Sequence, residues 1–446
     1  MRETRSAQAS IFDFYSEHDK GKQLKALSDV LDQHLSILTL IEQDFSKHDI
    51  ASTGARGLSL ESIFRCLILK LVLGVSYRKL EFALCDSPTY RSFARLRGAQ
   101  SPSRSALQAT LRRVSPETLG NINHLLMSGW VDQGEVSLDR LRIDSTVVDS
   151  NIAPPSDSQL LGDGVRVLSR LMAYSKMRTG VKTRFVDQRK RSKSFVFRIF
   201  HAKKAEKDAL YPQLLACVAI TLRQTKKATD RVRRDATDAI KAQLWVRDVE
   251  HYQALLLKII DQTQRRVFNE ETVPSSEKLV SLFEPHTDII VKGKRDVRYG
   301  HKVNLATQGD GFVTYLNVED GNPADKILYM PVLDACHNDY DQRPVAVVAD
   351  GGYASQSNVA LARASGVKQA VFNKRVGLGY HQMGVKKKTF EVLKNFRAGV
   401  EGNISELKRA FGMNKANWKG HDGFKAYVWS AVLSYNLIRM VRFSSA

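Results

Sequence analysis

Apolar residues recur at intervals of three, four and seven near the end of the chain: Leu393, Phe396, Val400, Ile404, Leu407 and Phe411. This spacing predicts a helix over 394–411 with one buried stripe. At about 100° per residue, Glu401 projects roughly 80° from the centre of the stripe, while Glu391 and Glu406 point far round toward solvent. Only Glu401 can join a partly buried site, and Arg397 and Lys408 share its flank. Residues 22–135 predict a run of short helices, with turn signals at Thr53-Gly54, Gly74, Ser87-Pro88, 98–102 and Ser115-Pro116. Within that run SLESIFRCLILKLVLG, SYRKLEFALCDS and, after a polar loop, SPSRSALQATLRRV are compatible with helix-turn-helix geometry. Arg104, Arg112 and Arg113 on the last of these could meet DNA; a plain helical bundle with surface arginines is the alternative.

From Gly134 the pattern becomes strand-like, at 136–148 and then, after a long interval, at 286–292, 301–307, 312–318, 344–350 and 368–372. Helical stretches near 324–335 and 355–364 separate the later strands, which predicts an α/β mixed sheet covered by helices. The interval 157–284 reads as helical and highly charged, an insertion after the first strand. The expected division is a helical N-terminal part for DNA binding or dimerisation (1–133), the first piece of the sheet domain (134–156), a basic helical insertion (157–285) and the second piece of the sheet domain (286–446).

With 446 residues and 43% hydrophobic content, the chain can bury one large core or two to three smaller ones. Its 68 Lys and Arg against 47 Asp and Glu give a net charge of +21, which favours a polyanionic partner, nucleic acid first. The densest part, 176–207, holds twelve Lys or Arg, among them Lys190, Arg191 and Lys193, against only Asp187 and Glu206. Phe185, Phe195, Phe197 and Phe200 interleave with them, a pattern that favours contact with a phosphate backbone over an ordinary mixed-sign helix face. Cys66, Cys85, Cys217 and Cys336 stand singly without CxxC spacing and read as buried thiols of a reducing compartment. The N-terminal segment lacks the apolar core of a signal peptide, and the best apolar stretch, 66–75, is short and contains Lys70. A cytoplasmic protein with no membrane partner is expected.

Two strand-like runs carry a carboxylate: LRIDSTVV with Asp144 and PVAVVAD with Asp350. In the first, alternation sends Leu141, Ile143 and Val147 to one face and Asp144 with Thr146 to the other. In the second, the acid closes a continuous apolar run, a costly position without a cation. Three acids from two strands and a helix suit a pair of divalent metal ions acting on phosphate esters, since Mg²⁺ takes oxygen ligands and needs few carboxylates. Arg397 and Lys408 would serve as phosphate ligands beside them. Gly351 and Gly352 would let backbone approach a phosphate closely. The plainer accounts are a turn at Asp350-Gly351 and an i, i+4 ion pair between Arg397 and Glu401, the latter in the less favourable orientation. His301 on its strand reads as structural.

Asp144, Asp350 and Glu401 in this order, with Arg397 before the Glu and Lys408 after it, resemble the DDE transposases of bacterial insertion sequences. The strings DSTVVDSNIAPPSDSQLLGDGVRVL, YGHKVNLAT, ADGGYAS and SLESIFRCLILKLVLGVSYRKLE resemble the same group, so the likeness spans roughly residues 50–440. It implies an RNase H-like catalytic fold and two Mg²⁺ ions, with Mn²⁺ as a substitute, held by the three acids. It also implies recognition of terminal inverted repeats, strand transfer on double-stranded element ends and target, a homodimer in the DNA complex, and a nucleoid-associated place in a bacterial cytoplasm. Lys394 stands where several relatives carry Tyr, and the insertion follows the first strand rather than the second Asp. A structure-selective nuclease with the same acids and a noncatalytic DNA-binding regulator remain the alternatives.

Overall fold

A computed structural model describes residues 3–4, 14–47, 57–98, 100–292, 296–373 and 378–444; the expected turn at Thr53-Gly54 lies outside them. Before the first strand come α1 (Asp19–Gln33), α2 (Ile37–Ser46), α3 (Leu60–Val72), α4 (Tyr77–Asp86), α5 (Pro88–Phe93), α6 (Arg104–Leu111) and α7 (Pro116–Asp132). Serines set most of these starts. The hydroxyls of Ser59, Ser76, Ser87, Ser103 and Ser115 each accept from the backbone N–H three residues on, satisfying one of the open donors of a helix N-terminus. Ser87 with Pro88 behind it starts α5 where the sequence predicts a polar loop. Residues 60–71 of α3 are buried on every side. Arg65 is tolerated there because Glu61, Asp32 and Ser28 accept its guanidinium hydrogen bonds at 3.0, 2.9 and 2.8 Å.

Strand β1 (Arg140–Ser150) then leads into a separate compact unit, residues 152–300. It contains α8 (Asp157–Ala173), α9 (Ser175–Thr179), α10 (Arg189–His201), α11 (Lys204–Asp235), α12 (Ala239–Thr263) and β2 (Asp288–Lys292). Leu161, Val165, Leu168, Leu214, Val218, Trp245 and Leu256 form its own apolar core, and Trp245 Nε1 donates to the Leu171 carbonyl at 3.1 Å. Buried Asp157 at the first turn of α8 accepts from Gln262 Nε2 and Arg266 Nη1, both at 2.8 Å, so its charge is paired.

The other compact unit joins residues 1–151 to 301–446. After β3 (Asp296–Thr307), whose first half pairs with β2, come β4 (Val313–Val318), α13 (Tyr329–Tyr340), β5 (Ala346–Asp350), α14 (Gln356–Ala364), β6 (Gln369–Asn373), α15 (Lys387–Ala410), β7 (Lys415–Ala416) and α16 (His421–Ser444). The sheet is mixed. Its order is β3-β1-β5-β6, with β4 antiparallel to β3, β5 parallel to both β1 and β6, and β7 parallel to the end of β1. One apolar core runs from Leu24 in α1 through Ile143 and Val348 in the strands to Val441 in α16, so the helical layer and the sheet are packed as one body. Buried Asn436 of α16 ties the layers together. It accepts from Val313 N at 2.9 Å and donates to the Val313 carbonyl and to Asn123 of α7, both at 2.8 Å.

Helix α15 is fixed across the sheet by Arg142, which is buried on β1 among backbone acceptors. Its guanidinium donates to the Phe396 carbonyl at 3.3 Å and to those of Gln308 and Gly309 at 2.6 and 3.1 Å, and it lies 4.6 Å from the centre of the Phe396 ring. A Cβ at Gly399 would overlap Arg142 Nη1, which explains a glycine in the middle of a long helix. Two residues past Glu401, buried Asn403 accepts from Thr307 Oγ1 at 3.3 Å and donates to Tyr435 Oη at 2.9 Å. Gly399→Ala is therefore expected to destabilise the protein by about 2–3 kcal/mol, although alanine in an exposed helix would gain about 1 kcal/mol. Denaturant unfolding of the two proteins checks it.

Candidate active site

Strands β1 and β5 pair in parallel up to Ile143 opposite Ala349. Asp144 and Asp350 are the next residues on each, so two carboxylates leave the sheet side by side. Helix α15 supplies the third acid, and the Arg397 side chain joins all three. Its Nη1 lies 3.4 Å from Asp144 Oδ2, and its Nη2 lies 2.8 Å from Glu401 Oε1 and 4.0 Å from Asp350 Oδ1. The i, i+4 pair with Glu401 thus forms, and the same guanidinium also reaches the strands. Arg397 is 12% exposed and Asp144 18%, against 52% for Asp350 and 64% for Glu401, so the site has one inner acid and two facing water. The exposure of Asp350 departs from the buried strand end expected from sequence; the apolar run stops one residue earlier, at Ala349.

Three carboxylates around one guanidinium leave negative charge in excess. Burial pushes the Asp144 carboxyl up to about 6; the Asp350 and Glu401 charges add to that, while the Ser145 N–H at 2.8 Å and Arg397 oppose it. An all-oxygen donor set that is partly open to water and short of positive charge fits a hard divalent cation such as Mg²⁺ or Mn²⁺.

The remaining candidates divide. Lys408 lies on α15 seven residues past Glu401, two turns along the same face and about 10 Å away. Lys394 is exposed, with its Nζ 3.7 Å from Glu391. Glu406 is not directed to open solvent, because α16 packs beside α15 and its Arg439 and Arg442 pair with that carboxylate at 3.4 and 2.6 Å. His301 is buried, stacked on His421 at 5.0 Å and edge-on to Phe424 at 4.8 Å. The space beside Gly352 belongs to Asp325: a Cβ there would come 2.6 Å from its Oδ2.

Arg104 is exposed at the start of α6, whereas Arg112 and Arg113 follow that short helix, and Arg112 Nη2 donates to the Lys419 carbonyl at 2.9 Å. In the other unit Lys190, Arg191 and Lys193 are exposed on α10, as are Phe197 and Phe200, while Phe195 faces the core with the Arg191 guanidinium 5.7 Å from its ring centre. Cys66, Cys217 and Cys336 are buried thiols, but Cys85 is exposed because it falls one residue off the Leu80–Leu84 stripe of α4. No helix among the described residues is long and apolar enough to cross a membrane. Sequence reasoning missed Arg142, Ser145, Lys302 and Asp325, whose partners lie far away along the chain.

Because the Asp144 carboxyl holds its proton to about 6 in the folded protein and ionises near 3.8 unfolded, its contribution to stability is complete below pH 3.8 and is lost as pH rises through 6. In EDTA the group should remove roughly 2–3 kcal/mol between pH 4 and pH 7. Asp144→Asn should flatten that stretch of the melting-temperature profile, as a thermal titration would reveal.

Two family models match the chain. The one described as Transposase DDE domain covers residues 257–437, which include Asp350 and Glu401, and the one described as Transposase domain (DUF772) covers residues 12–113. Asp144 lies in neither span. No curated protein and no solved structure gives a significant match. The two matched spans flank β1, whose Asp144 meets the acids of the second span at Arg397, and together the two matches indicate an insertion-sequence DDE transposase.

Proposed function

We propose that this transposase binds the terminal inverted repeats of its element, cleaves DNA there in a metal-dependent reaction and joins the freed end to a target. The observation that carries the reading is the meeting of Asp144, Asp350 and Glu401 at one guanidinium, from three segments far apart in sequence. The sheet order, an antiparallel β3–β4 hairpin beside β1 with β5 and β6 parallel on its other side, supports an RNase H-like catalytic domain. In this reading residues 1–133 and the insertion 157–285 serve DNA binding and dimerisation, the sheet domain is completed by 134–156 and 286–446, and the working complex is a homodimer on double-stranded DNA.

The three acids would hold the divalent ions. When bound, such ions activate an oxygen nucleophile and stabilise the leaving oxygen of a phosphodiester. Asp144, the inner acid, sets the depth of the site and must give up its proton to act as a ligand. Asp350 and Glu401 face water and can meet DNA directly. Arg397, whose planar guanidinium suits bidentate contact with phosphate, would hold the scissile strand beside the acids, and Lys408 would take a phosphate about two helical turns along. Lys190, Arg191 and Lys193 would track the backbone elsewhere on the bound DNA, and Arg104, Arg112 and Arg113 are the candidate contacts of the helical layer.

Asp350→Asn should abolish Mg²⁺-dependent cleavage of end-bearing DNA while leaving end binding within about threefold; a variant that still cuts would refute the assignment. Replacing Lys190, Arg191 and Lys193 together by Gln should weaken binding to end and unrelated DNA alike. The slope of log K against log salt should also shrink by roughly 2–3. An unchanged slope in filter binding would remove α10 from the interface.

A further inference from the structure

Opposite the face that meets α15, the residue after Asp144 enters a second polar contact. Ser145 Oγ donates to Asp325 Oδ1 at 3.2 Å, and Lys302 Nζ of β3 donates to the same oxygen at 3.0 Å and to the Pro323 carbonyl at 2.6 Å. Asp325 lies in a 3₁₀ turn, Asp325–Ile327, just before α13. Its other oxygen borders Gly352, in the turn that follows Asp350, so closely that any side chain at 352 would displace it. This turn is itself held in place. Asn358 Nδ2 of α14 donates at 2.8 Å to both the Lys326 and the Tyr353 carbonyls, Tyr353 Oη donates to Asn304 Oδ1 at 2.8 Å, and Asn304 Nδ2 donates to the Leu328 carbonyl at 2.9 Å.

One carboxylate thus touches the segment bearing Asp144 by a hydrogen bond, the segment bearing Asp350 by close packing, and a neighbouring strand by an ion pair. We propose that Asp325 is a positioning residue for the reaction centre: with Lys302 and Ser145 it fixes the spacing of Asp144 and Asp350 from behind. The proposal rests on the reading of those acids as the metal-holding set. Lys302 is nearly buried and its ion pair holds the Asp325 carboxylate in one orientation, and Gly352 leaves room for it. Groups behind metal ligands act in this way, by limiting where the ligand oxygens can be.

The test compares wild type, Asp325→Asn, Ser145→Ala, the double variant and Asp350→Asn as full-length protein. Four quantities are read: single-turnover cleavage of end-bearing DNA, Mn²⁺ binding by calorimetry without DNA, end binding, and the melting temperature in EDTA. Asp325→Asn is expected to slow cleavage and to weaken Mn²⁺ binding, each roughly 10–100-fold. End binding should stay unchanged and melting should move by no more than roughly 3 °C. Ser145→Ala should shift cleavage and Mn²⁺ binding in the same direction by less, and the double variant should be no worse than Asp325→Asn, because both substitutions break one linkage. Wild-type cleavage and Mn²⁺ affinity in Asp325→Asn, with Asp350→Asn inactive, would overturn the positioning role alone. A loss that follows a fall in melting temperature while Ser145→Ala is silent would also overturn it, by assigning Asp325 to stability. Cleavage retained in Asp350→Asn would instead overturn the reading of the acids, and the positioning role with it.

Discussion

Carboxylates gathered in one place repel one another, and the packing around Arg397 is what keeps three of them there. A single guanidinium on α15 reaches an acid in the middle of β1, another at the end of β5 and a third on its own helix. It can do so only because α15 crosses the sheet at a fixed height. That height is set by Arg142, a buried arginine on β1 whose Nη groups donate to backbone carbonyls, and by the absence of a side chain at Gly399. The inner arginine places the helix, the helix places the outer arginine, and the outer arginine offsets the charge of the acids. Loss of any one step leaves buried charge uncompensated, which costs more than any of these contacts contributes alone.

Much of this was legible in the sequence because it rests on local rules. The 3.6-residue stripe on α15, with Glu401 on its flank, needs only periodicity, and the structure buries Leu393, Val400, Leu407 and Phe411 as that period requires. The strand runs holding Asp144 and Asp350 stand out as apolar segments closed or interrupted by an acid, and the turn signals at Gly74, Ser87-Pro88 and Ser115-Pro116 fall at boundaries of N-terminal helices. The convergence of the acids was not local. It came from likeness to a family, and the parallel register of β1 with β5 supplies its physical basis.

What stayed hidden has a common cause. Helix α16 is buried on nearly all sides, so it has no polar face to give a period, and α5 is a six-residue helix in a polar stretch. Glu406 looks solvent-facing on a helical wheel until α16 lays two arginines against it. Asp325 sits among turn residues, where an aspartate has an ordinary local use, and only the fold brings it to Ser145 and Lys302.

The compact unit inserted between β1 and β3 separates Asp144 from its partner strand by some two hundred residues, a connection whose closure entropy grows only with the logarithm of its length. Because the insertion has a core of its own, it can condense while the rest of the chain is still being synthesised and shorten the gap that β1 must bridge. On a ribosome β1 waits for β5, and the inner acid waits for α15, so the three acids can gather only late in the chain's synthesis. In the function proposed above, that order withholds the reaction from incomplete chains.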